Sequence, residues 1–144
     1  MLVNGPKFTN LKSVGDYGLA EAFKGCSSLS SVELPSAPIS VGTYGCSYAF
    51  SESGIKTVEN LSLSGIANYG CQGMFSNCSS LTAVQDLHID NSENATKKTG
   101  DARCNNMFGN CDSLLSVGGL VKGVYGQYGL RYMFRNCKSL KDAS

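Results

Sequence analysis

One short block recurs five times along this chain of 144 residues, and that recurrence constrains the fold more than anything else in the sequence. Aligned on phenylalanine, the copies read YGLAEAFKGCSSLSSV, YGCSYAFSESGIKTV, YGCQGMFSNCSSLTAV, ARCNNMFGNCDSLLSV and YGLRYMFRNCKSLKDA. Their anchors, Phe23, Phe50, Phe75, Phe108 and Phe134, stand 27, 25, 33 and 26 residues apart. The period is therefore near 26 residues, and the third interval carries an insertion of roughly seven. A unit this small has too little apolar surface to offset its own conformational entropy, so it is stable only when stacked on copies of itself. The expected fold is an α/β repeat solenoid of about five units, a single domain spanning residues 1–144.

Inside each unit the apolar residues fall at i, i+3, i+4 and i+7, as in Cys71, Met74, Phe75 and Cys78, or Leu130, Met133, Phe134 and Cys137. That spacing predicts a short helix with one inward stripe. Asn77, Asn110 and Asn136, with Gly25 in the first unit, follow the Phe by two positions, where a residue tolerant of the left-handed conformation would end the helix. A strand signal follows: Val58, Leu61 and Leu63, then Val84, Leu87 and Ile89, then Val117 and Leu120. Alternation such as Leu61, Ser62, Leu63 predicts a strand with one buried face. Stacked units would align these strands as a parallel face, with short helices or turns opposite.

Composition narrows the function. The net charge of +1 argues against a general nucleic-acid binder, which needs a concentrated excess of Lys and Arg. No apolar run is long enough to span a bilayer, and MLVNGPKF lacks the regions of a signal peptide, so an export signal would have to lie outside this chain. Charge is uneven along the axis. Residues 1–96 hold four Lys and eight Asp or Glu, net −4, while residues 97–144 hold eight Lys or Arg and three Asp, net +5.

The units MFSNCSSL, MFGNCDSL and MFRNCKSL, with AFKGCSSL before VELP, resemble the BspA-like leucine-rich repeats of bacterial surface proteins, from about Leu11 to Leu140. The resemblance implies a right-handed solenoid and a role in adhesion or protein recognition at a cell surface. Two units depart from the pattern. Ser53 replaces the cysteine in the second, and Ala102 and Arg103 replace the Tyr–Gly pair in the fourth, directly after the insertion.

Seven cysteines would ordinarily raise disulfides or metal. Here they fall in two repeat columns, Cys46, Cys71 and Cys104 before the Phe, and Cys26, Cys78, Cys111 and Cys137 after it. Leu19 and Leu130 fill the first column elsewhere, so the position asks for a modest apolar group and free core thiols are expected, with disulfides between neighbouring units as the alternative. The sole histidine, His88, lies between Leu87 and Ile89 and should face away from both. As a catalyst it lacks an evident partner, and the recurring serines occupy turn positions, so the reading is noncatalytic, with no cofactor and no metal. Recurrence of Tyr17, Tyr44, Tyr69 and Tyr128 favours a structural column.

The functional expectation is a recognition module that binds a host or neighbouring-cell protein or glycan through outward strand residues, Glu59, Ser62, Gln85 and His88. The polar insertion at residues 90–103, DNSENATKKTGDAR, adds Lys97 and Lys98 as contact candidates. The alternative is a structural part of a fibre, appendage or phage particle. Neither end carries an evident polar cap, so a longer parent array or self-association through uncapped ends is also expected.

Overall fold

The computed structural model describes residues 5–92, 101–122 and 128–143. Among these residues seven short strands form, β1 (Ser13–Val14), β2 (Ile39–Val41), β3 (Thr57–Glu59), β4 (Ser62–Ser64), β5 (Ala83–Asp90), β6 (Ser116–Lys122) and β7 (Asp142–Ala143). All pair in parallel, in the order β1, β2, β4, β5, β6, β7, with β3 also beside β5. The alternation expected of a one-sided sheet is present: Ile39 and Val41 are buried around exposed Ser40, and Leu63 is buried between Ser62 and Ser64.

The units stack in a line. Phe23, Phe50, Phe75, Phe108 and Phe134 form one column of nearly parallel rings, with successive centroids 5.3, 5.4, 5.5 and 5.6 Å apart. The three central rings are wholly buried, whereas Phe23 and Phe134, each with a neighbour in this column on one side only, are half-buried. Core formation is therefore shared between neighbours, and no unit encloses its own phenylalanine.

Opposite the sheet, turns replace the expected short helices; among the described residues no α-helix forms. Every fourth residue of this segment has a positive φ, between 49° and 74°: Tyr17, Glu21 and Gly25; Tyr44, Tyr48 and Glu52; Tyr69, Gly73 and Asn77; Ala102, Asn106 and Asn110; Tyr128, Tyr132 and Asn136. A right-handed helix cannot carry such residues, since each costs an L-amino acid about 1–2 kcal/mol and breaks the ladder of i to i−4 bonds. Hydrogen bonding alternates instead. The N–H groups of Tyr17, Leu19, Glu21, Phe23 and Gly25 donate to carbonyls of the next unit, on Thr43, Gly45, Ser47, Ala49 and Ser51, at 2.8 to 3.0 Å. Those of Gly18, Ala20, Ala22 and Lys24 donate three residues back, closing β-turns. The same scheme joins each unit to the next through the array. Inter-unit bonds thus satisfy half of the backbone donors, which ties the strained turns to the stack.

Four-residue turns and an α-helix both bring i and i+4 to one side, so Cys71 and Phe75 are inward in either case. Leu130 differs from its expected inward place and is exposed, because the last turn segment has no described unit over its outer side. The left-handed conformation expected for Gly25, Asn77, Asn110 and Asn136 is present at all four. The amides of those asparagines form a ladder, Asn136 donating to Asn110 at 2.9 Å and Asn110 to Asn77 at 3.0 Å.

The departures at Ser53 and Ala102 are absorbed locally. Ser53 is buried in the cysteine column and lies 3.5 Å from the Cys78 sulfur. Ala102 takes the left-handed place of the tyrosine with φ 49° and is buried.

Candidate recognition face

The outward face of the sheet is built by register. Glu59 aligns with Gln85, and Ser62 with His88 and then Leu120, so three of the four nominated strand residues, Glu59, Gln85 and His88, stand exposed and Ser62 half-buried beside His88. The side chains between them, Val58, Leu61, Leu63, Val84, Leu87 and Ile89, are buried and hold the strands against the phenylalanine column. Lys97 and Lys98 lie outside the described residues.

A bend divides this face. Asn60 and Asp86 both adopt a positive φ between the two halves of their strand segments, and the register of β5 against β6 shifts between Val84 and Leu87. Here β6 is one residue shorter than β5. Gly119 closes the gap with φ +143°, and a Cβ there would stand 1.9 Å from the Leu87 carbonyl oxygen, so only glycine fits. The shift corrects the expectation for Leu120. Its spacing from Val117 copies that of Leu87 from Val84, which predicts an inward side chain. Without the bulge residue, Leu120 aligns with His88 and is 49% exposed.

Sequence spacing also passed over the neighbouring column. Ser40, Ser64, Asp90 and Lys122 are aligned by successive pairings, and the Lys122 ammonium lies 3.0 Å from Asp90. Hydrogen bonds from Ser92 and then from Lys122 lower the Asp90 carboxyl to about 2. Residues 90 and 122 are 32 positions apart in the chain, and only pairing of β5 with β6 joins them. The face therefore offers a carboxylate and an amide side by side, an imidazole next to an exposed leucine, and an ion pair at its margin. Such mixed chemistry can contact a polar surface with an apolar anchor.

The turn side carries its own aromatic column. Tyr17, Tyr44 and Tyr69 stack with centroids 5.2 and 4.8 Å apart, as expected of a structural column, but Ala102 takes the tyrosine place in the fourth unit and Tyr128 lies apart, exposed, with the Arg131 guanidinium over its ring. A shallow groove of about 380 Å³ runs between Tyr17, Tyr44 and Tyr48, with Glu21 and Gln72 along it. All seven cysteines are free thiols, five buried and two half-buried, aligned in the two columns read from the sequence. Among the described residues no helix is long and apolar enough to cross a membrane.

A parallel sheet backed by a stack of identical turns, with ladders of Phe, Tyr, Asn and Cys through it, defines a stacked repeat protein. Residues 7–141 match the model of the BspA-type leucine-rich repeat region in six copies, and the chain belongs to that family. No curated protein and no solved structure matches it. Leucine-rich repeats are generally noncatalytic scaffolds for binding proteins, and the BspA type is typically associated with bacterial surface proteins.

Proposed function

We propose that this chain is a noncatalytic recognition module of a bacterial cell-surface protein, which adheres to a host or neighbouring-cell protein or glycan through the outward face of its sheet. The observation that carries the reading is the alignment of exposed Glu59, Gln85 and His88, with Ser62 and Leu120, on strands whose other side is locked into the core. A rigid sheet presents such side chains with little ordering cost on binding, which favours a defined epitope over a general sticky surface. Lys97 and Lys98, in the insertion, extend the contact beyond the strands.

The test is an array of host matrix proteins and glycans probed with the intact chain, with a Glu59→Ala, Gln85→Ala, His88→Ala triple variant, and with Lys97→Ala, Lys98→Ala. The triple variant should keep its melting temperature and lose at least about tenfold in affinity for whatever the intact chain binds, as loss of central contacts does. Undiminished binding by the triple variant would place the contact elsewhere.

A further inference from the structure

We propose that the groove on the turn side is a second binding site, which takes a neutral sugar ring between the tyrosines. It belongs to the turn segments, not to the strands that carry Glu59, Gln85 and His88, and does not rest on the role of those residues. Tyr17 and Tyr44 line one side of the groove and Glu21 and Tyr48 the other, with buried Ser47 and half-buried Gln72 between them. The groove stops where its walls do. In the third unit Gly73 stands at the place of Glu21 and Tyr48, and in the fourth Ala102 stands at the place of the tyrosines.

The walls are held in place and the polar groups between them are not spent. The Tyr44 ring is stacked between Tyr17 and Tyr69, so its faces are covered and a ligand meets its edge and hydroxyl. Tyr48 lies against Gly73, where a Cβ would overlap its ring, so the glycine leaves the space that the ring fills. Side chains fixed before binding lose little freedom when a ligand arrives. Ser47 is 5% exposed; its N–H donates to Tyr44 and its carbonyl accepts from Glu21, and among the described residues its hydroxyl makes no hydrogen bond. The backbone of Gln72 is likewise used by Tyr69 and Tyr48, while its side-chain amide bonds to none of the described residues. A hydroxyl as deep as that of Ser47 is ordinarily paired. The groove therefore calls for a ligand that donates and accepts together.

Sugar hydroxyls do both, and the C–H groups of a sugar ring pack against tyrosine, whose body is apolar and whose tip is polar. A cation fits less well. Lys24 already reaches Glu21 at 3.4 Å and lies 5.7 Å from the centre of the Tyr48 ring, the place an ammonium ligand would take. An anionic sugar would meet the Glu21 carboxylate in the wall. The volume of about 380 Å³ is at the low end for small-molecule sites and accommodates about one or two sugar rings. Because the groove is shallow and buries only part of its ligand, the Kd for a free sugar is expected on the order of 1 mM.

Chemical-shift titration of the isotope-labelled full chain tests this. The probes are glucose, galactose, mannose, N-acetylglucosamine and lactose, each raised to about 20 mM, with sialic acid and tetramethylammonium as charged probes at the same concentration. At least one neutral sugar should give saturable shifts at Tyr44, Ser47, Tyr48 and Gln72 and leave Glu59, Gln85 and His88 unmoved, and neither charged probe should do so. Ser47→Ala and Gln72→Ala, both shown to fold by circular dichroism, should each weaken that binding about three- to tenfold, as loss of one hydrogen bond does. The triple variant of the sheet face, Glu59→Ala, Gln85→Ala, His88→Ala, should bind the sugar as the intact chain does. No saturable shift with any of the five sugars, a response confined to the sheet face, saturation by a charged probe instead, or undiminished binding by either single variant would overturn the proposal.

Discussion

The Cys78 thiol donates a hydrogen bond to the Phe50 carbonyl oxygen, 3.2 Å away in the preceding unit. Cys111 makes the same contact with Phe75 at 3.2 Å, and Cys137 with Phe108 at 3.1 Å. The conserved geometry of the step assigns this column a polar task that a plain hydrophobe would not perform, since the weak S–H donor reaches a carbonyl in the core. Burial raises the Cys78 and Cys111 thiols, which keeps them protonated and unreactive near neutral pH. Maleimide labelling of the folded chain at pH 7.5 should therefore modify only the half-buried Cys26 and Cys137, with the other five reacting after denaturant is added. Rapid modification of Cys71, Cys104 or Cys111 in the folded chain would contradict the buried columns.

The same thiols make the fold sensitive to alkali. Burial lifts Cys104 from about 9 to about 12. Cys71 is raised by its hydrogen bond with Cys46 and then by burial. In the unfolded chain these thiols ionise from about pH 9 upward, while in the folded chain they hold their protons. The unfolded state thus binds fewer protons, and stability is complete below pH 9 and falls as pH rises toward 12. Thermal melts should show the midpoint dropping by about 5 °C or more between pH 8.5 and pH 11, a change of one to a few kcal/mol for a domain this size. Cys104→Ala should start less stable and lose less over that interval.

The asparagine ladder makes a separate prediction. Asn110 has φ 59°, receives a hydrogen bond from Asn136 and gives one to Asn77. Asn110→Ala removes both side-chain bonds and puts a Cβ-bearing residue without a compensating polar group into the left-handed region, a loss of about 1–2 kcal/mol. Asn110→Gly removes the same bonds and relieves the backbone, so it should cost less. Urea titrations that ranked glycine below alanine in stability would show that side-chain space, and not backbone conformation, governs this column.

Much of this fold was written in the spacing. The period, the five anchors, the cysteine columns and the strand alternation around Leu61, Leu63, Leu87 and Ile89 all follow from residues recurring in place, because stacking forces equivalent positions into equivalent surroundings. The turns were not legible from apolar spacing, since i and i+4 coincide for a helix and for four-residue turns. A signal was nevertheless present: Gly73 precedes Asn77 by four residues, and Asn106 precedes Asn110 by four. Residues tolerant of positive φ at that interval suit repeated turns and not a helix interior. Tyrosine at the same places, as at Tyr17, Tyr44 and Tyr48, conceals the signal because a bulky residue rarely adopts that conformation. On the strand face, Leu120 was misplaced by a one-residue difference between β5 and β6 that only the pairing reveals.

Phe75 sits at the centre of the ring column, 5.4 Å from Phe50 and 5.5 Å from Phe108, and is fully buried. Phe75→Ala would leave a cavity shared by three units, and a buried Phe→Ala change costs about 3–5 kcal/mol. In a globule that loss lowers the stability of the whole chain uniformly. In a stack each unit contacts only its neighbours, so weakening the central interface separates the array into two weakly coupled halves. The variant should therefore melt at lower temperature with a broadened or two-step transition, whereas Phe23→Ala, at the half-buried first ring, should cost less and leave the transition single. Hydrogen exchange would locate the difference, with protection lost first around Phe75 in one variant and only in the first unit in the other. A sharp single transition with uniform loss of protection in Phe75→Ala would mean that the units fold as one body despite their linear arrangement.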